Sequence, residues 1–108
     1  MIKVDISRNA SQQMTAFTMT GHAGAGDYGE DIVCAAVSVL AITAVNSLDE
    51  IADATPTVES DDDNGGYLHV VMPTHNAAAD TILASFVLGL TQVAQKYSQF
   101  ITISDGHF

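Results

Sequence analysis

Two side chains in this sequence have the means to act as a base and a nucleophile: His22 and Cys34, the only cysteine in the chain. They lie twelve residues apart across a segment carrying Gly24, Gly26 and Gly29. Glycine adopts positive φ at little cost, so this segment can fold back and bring its ends together. A thiol beside an imidazole is the minimal equipment for nucleophilic catalysis at a carbonyl, because the ring removes the proton that keeps sulfur unreactive. Asp31 reads as the N-cap of an apolar helix running to about Ala52, which would set Cys34 in its first turn, near unpaired backbone N–H groups. Glu30 and Asp31 are negative and oppose a thiolate there, so His22 has to tip the balance. Asp31 either caps the helix or orients His22. Ser38 follows Cys34 at i+4, on the same helix face, where a structural role is the simpler reading. A lone cysteine flanked by Val33, Ala35, Ala36 and Val37 is also what a small core residue looks like.

The stretch Gly21–Ser38, GHAGAGDYGEDIVCAAVS, resembles the signature of the ribosomal-processing cysteine protease family, Prp, at Gly21, His22, Ala23, Gly29, Asp31, Cys34, Ala35 and Ser38. The resemblance implies a cysteine endopeptidase with His22 and Cys34 as a catalytic dyad and Asp31 and Ser38 in support. It also implies a substrate, the short N-terminal extension of protein number twenty-seven of the large ribosomal subunit, cut after aromatic residues, and a homodimer. Gly21, Ala23, Gly24, Gly26, Tyr28 and Gly29 would belong to a substrate-binding loop that closes over the peptide, with Tyr28 covering an apolar pocket. The competing expectation is a non-catalytic ribosome-assembly or peptide-binding module in which the loop grips a peptide and Cys34 is core. A redox-sensing thiol is a third, disfavoured by the lack of a resolving cysteine.

Such a site needs a rigid frame, and the rest of the sequence predicts one. Ile2, Val4 and Ile6 alternate with polar residues and Gln13–Thr20 is again extended, a hairpin turning at Asn9, Ala10 and Ser11. The first helix is apolar nearly all round and is expected to be covered on most faces. A second hairpin runs from Pro56 to Glu59, through a solvated turn at Asp61–Gly66, into Tyr67–Met72. After Pro73, Thr74 or Asn76 can cap a helix whose stripe is Ala79, Ile82, Leu83, Phe86, Leu90, Val93 and Tyr97, and Ile101 and Ile103 mark a last strand. The expected fold is α+β, a single domain over residues 1–108, in ββαββαβ order, a two-layer sandwich of a mixed sheet with two packed helices.

Composition narrows the function classes. A net charge of −10, with three Lys and Arg in 108 residues, makes direct nucleic-acid binding a poor prospect and draws in a basic peptide such as a ribosomal protein's extension. No apolar stretch follows a basic start, and the run Ile32–Val45 falls short of the roughly 20 residues a membrane span needs, so a cytoplasmic protein without membrane contact is expected. Three consecutive aspartates at 61–63 lack the alternating ligands of a calcium loop, and His69, His75 and His107 lack ligand spacing. No metal and no cofactor are expected.

Overall fold

The computed structural model describes residues 1–22 and 28–106. Strands β1 (Ile2–Arg8) and β2 (Met14–Thr20) form the first hairpin, followed by α1 (Tyr28–Glu50), β3 (Thr57–Asp61), a 3-10 turn (Asp63–Gly65), β4 (Tyr67–Val71), α2 (Ala77–Lys96) and β5 (Ile101–Asp105). The five strands make one sheet in the order β3-β4-β2-β1-β5. All pairs are antiparallel except β1 with β5, so the sheet is mixed, as the sequence predicts. Register explains why one face is dry. Val4 stands opposite both Met19 and Ile103, and Phe17 opposite both Ile6 and Val70, so every inward residue lines up with inward neighbours. Lys3, Asp5 and Glu59 point the other way and are exposed.

Both helices lie on the dry face. Phe17 of β2 meets Phe86 of α2 with ring centroids 4.6 Å apart, and α1 contributes Val33, Val37, Ala41, Ala44 and Leu48 to the same core. The helices approach closely because Gly89 has no side chain, and a Cβ there would stand 3.0 Å from Leu40 Cδ2. Of the two candidate caps for α2, Asn76 performs the role: its side-chain oxygen accepts from the Ala79 amide at 2.8 Å, and its Nδ2 donates to the Ala52 carbonyl. The first hairpin is closed by Asn9, whose Oδ1 accepts from the amides of Ser11 and Gln13, with Gln12 at φ +68°.

Three expectations need correction. Helix α1 begins at Tyr28, three residues before Asp31, so Asp31 is not its N-cap. Glu30 and Asp31 occupy the first turn instead, where a carboxylate is favoured by the positive end of the helix dipole. That start also makes Tyr28 and Gly29 helical, which shortens the loop expected over 23–30. Second, α1 is not covered on most faces: Ile32, Val39 and Ile42 are exposed, because in a two-layer fold the helix meets the sheet and α2 and leaves its outer ridge uncovered. Third, the apolar run is not short. By length and composition alone α1 and α2 would each suffice to cross a membrane, although here each lays its apolar stripe on the sheet. Ala23, Gly24, Gly26 and His107 lie outside the described residues.

Phe17 is 1% exposed and sits at the centre of this packing. Phe17→Ala is expected to lower the unfolding free energy by about 3–5 kcal/mol in urea denaturation. A loss under about 1 kcal/mol would show that the core closes without the ring.

Candidate active site

The site forms where β2 ends and the chain turns away from the sheet. Gly21 has φ +81°, and a Cβ on it would fall 2.5 Å from the Met1 carbonyl oxygen, so both backbone conformation and space demand glycine. Its amide donates to the Gly66 carbonyl at 3.2 Å, fastening this turn to the start of β4. Its carbonyl accepts from the Cys34 thiol, with sulfur and oxygen 3.6 Å apart. Nearby, Glu30 in the first turn of α1 accepts from the Met1 nitrogen at 2.8 Å. One glycine thereby gathers β2, β4 and α1 at a single point.

Cys34 is the seventh residue of α1 and 6% exposed. It therefore sits in the second turn, beyond the first four residues whose N–H groups lack an intrahelical acceptor, and not in the first turn as expected. What places the thiol is the contact to Gly21, whose next neighbour is His22. His22 is half-buried and its Nδ1 finds no hydrogen-bond partner among the described residues. Burial lowers its pKa from the ordinary 6.5; the charge of Asp62 and the backbone of Met19 pull the other way without cancelling the effect. The ring is consequently neutral at pH 7, the form that accepts a proton.

His22 and Ser38 line one cleft of about 310 Å³, together with Ala41, Ile42, Ser60, Asp62 and Leu68. Ser38, on the wall of this cleft, is one helical turn along α1 from Cys34. Of the residues singled out in the sequence, the fold brings together Gly21, His22, Cys34 and Ser38. Asp31 is on an exposed side of the first turn of α1, and the expected loop residues Ala23, Gly24 and Gly26 are outside the described residues. The cleft also holds Ser60, which no local signal marks, and Asp62, which in the sequence belongs only to an acidic turn. An aspartate run before two glycines reads as a solvated turn, and only the pairing of β4 with both β2 and β3 carries it to the histidine. Among the described residues no group of His, Cys, Asp and Glu could hold a metal ion. His69 instead hydrogen-bonds Thr18 across the open sheet face at 2.8 Å, and His75 lies 3.5 Å from Asp80.

The lowered pKa of His22 has a definite sign. The unfolded chain, with its histidine near 6.5, binds this proton more readily than the folded one, so stability drops as pH falls through 6.5. We expect the urea midpoint to decline more between pH 7.5 and pH 5.5 for the wild type than for His22→Gln, since His69 and His75 are common to both. Equal declines would mean that the ring is not desolvated by the fold.

Residues 1–102 match the family model described as cysteine protease Prp. A ribosomal-processing cysteine protease Prp of Staphylococcus aureus is 35% identical over 105 residues, covering 96% of this chain and 98% of that protein. The crystal structure of the essential ribosomal-processing protease Prp from S. aureus with a substrate peptide superposes with a TM-score of 0.89 at 33% identity, covering 98% of this chain and all of that one. The same protease with a covalently linked product peptide gives a TM-score of 0.86 at 34% identity and the same coverage.

Proposed function

The chain belongs to the Prp family of cysteine proteases, and from that premise we propose that it removes the N-terminal extension of large-subunit ribosomal protein number twenty-seven with a Cys34/His22 dyad. The observation that carries this reading is the Gly21 junction, which holds the Cys34 thiol against the residue preceding His22 while His22 and Ser38 share a cleft one turn along α1. Neutral His22 takes the proton from Cys34 Sγ as the sulfur attacks the peptide carbonyl carbon. A tetrahedral oxyanion forms, and its collapse breaks the C–N bond while the imidazolium returns its proton to the leaving amine. Water, deprotonated by the same ring, then attacks the thioester and frees Cys34. No cofactor takes part. A ribosomal protein is a basic substrate, and a chain with net charge −10 attracts it at long range. The covalently linked product peptide in the S. aureus relative supports an acyl-enzyme route. We place the activity in the cytoplasm, where a single reduced thiol persists.

The same reading includes a homodimer. Val39 and Leu88 are 63% and 59% exposed on the outer sides of α1 and α2, and between the helices runs an apolar groove of about 690 Å³ floored by Ala36, Leu40 and Gly89. A second copy would cover this surface.

Cleavage of a peptide spanning the extension, followed by mass spectrometry, tests the proposal. Wild type should give two products at a single bond. Cys34→Ala should give none while keeping its melting temperature within a few degrees, and His22→Ala should be slower by a factor of about 10² or more. Product from Cys34→Ala at the wild-type rate would refute the dyad.

A further inference from the structure

The cleft at His22 does not end there. A second cavity of about 150 Å³, lined by Ala41, Ile42, Val45, Asn46, Val58 and Leu68, continues from it along α1, and Ala41, Ile42 and Leu68 belong to both. Together they make one groove between the flank of α1 and the last strand of the sheet. Strand geometry explains its existence. Val58 and Ser60 are spaced by two and face the helix side, as their pairing with Val70 and Leu68 requires, and Asp62, just past the end of β3 at the start of the 3-10 turn, lines the cleft beside them. Helix α1 stops short of covering them, so Ile42 and Val58 remain 59% and 42% exposed although they line a cavity. β3 is the sheet edge, and its outer backbone groups are unpaired within the sheet.

We propose that this groove seats the substrate peptide in extended form along β3, with a cationic side chain against Asp62 and an apolar side chain between Ile42, Val58 and Leu68. The proposal rests on the protease reading and adds to it the residues that select the sequence around the cut. Three observations identify the occupant. The groove runs without a break into the cleft of His22 and Ser38, so what fills it is continuous with what is cut. Its chemistry is graded, with the Asp62 carboxylate and the Ser60 hydroxyl at the catalytic end and an apolar lining beyond, and no cationic side chain lines either cavity. Its spacing also fits an extended chain. Ser38 lies four residues beyond Cys34 along α1 and Ile42 four residues beyond Ser38, about 6 Å per step. Side chains on one side of an extended peptide recur every two residues, about 6.6 Å apart. The cationic residue therefore falls about two residues from the cut, and the apolar one about four, on the same side of it.

Cleavage rates of a peptide panel decide the matter, with Lys or Glu placed two residues from the cut and Leu or Ser placed four residues from it, on the amino side in one set and the carboxyl side in another. In one set, wild type should prefer Lys over Glu about tenfold in kcat/KM, chiefly through KM, and Asp62→Asn should reduce that preference to threefold or less. The double variant Ile42→Ser/Val58→Ser, changed only at exposed positions, should lose the preference for Leu over Ser, read as the ratio of kcat/KM for the two peptides. If wild type cleaves the panel but neither variant moves the preference, the groove assignment is overturned and the dyad stands. If wild type cleaves nothing while Cys34→Ala binds Lys and Leu peptides more tightly than Glu and Ser peptides, the groove stands and the protease reading falls. A groove covered by a second copy would show as no discrimination together with dissociation of the dimer by Ile42→Ser/Val58→Ser, and that result also overturns the assignment.

Discussion

The structure depends on a glycine where no other residue fits. Gly21 combines a left-handed backbone with a position at which a Cβ would overlap the Met1 carbonyl, and from there its amide reaches Gly66 and its carbonyl reaches the Cys34 thiol. A larger residue would have to displace the chain at Met1 and Ile2, or the turn that carries His22 and accepts from the Cys34 thiol. The constraint explains how a cysteine buried to 6% exposure in the core can still belong to a site.

Helix α1 carries three demands on three sides. Its inner stripe of Val33, Val37, Ala41, Ala44 and Leu48 holds the sheet, one flank with Ser38, Ile42 and Val45 borders the groove beside β3, and the other flank with Ala36 and Leu40 meets α2. A helix so used must be apolar nearly all round. That pattern led the sequence reading to expect coverage on most faces, whereas the two-layer fold leaves the outer ridge at Ile32 and Val39 uncovered.

The elements themselves were legible because they rest on local signals. Alternation at Ile2, Val4 and Ile6, Pro73 before a capped helix and the stripe from Ala79 to Leu90 each write their structure into a few consecutive residues, and the ββαββαβ order of a mixed sheet followed. The family resemblance of the stretch Gly21–Ser38 was legible for the same reason, since its signature lies within eighteen consecutive residues. The start of α1 was not. Asp31 has the side chain of a cap, but a carboxylate is equally at home inside a first turn, and sequence alone does not distinguish the two. Asp62 was invisible as a neighbour of His22 because 40 residues separate them and only the strand order β3-β4-β2 joins them. Long-range pairing of strands, with no local signature, is where the reading from sequence stopped.

The central claim is that Cys34 forms a covalent bond to the substrate's carbonyl carbon with His22 as its base. Intact-protein mass spectrometry of wild type, mixed with the extended peptide and quenched in acid within its first turnovers, reads that bond directly. The account predicts a transient species heavier than the free chain by the mass of the amino-terminal product less one water, mapped to Cys34 by digestion. Turnover with no such adduct at any quench time, or an adduct on another residue, would contradict it.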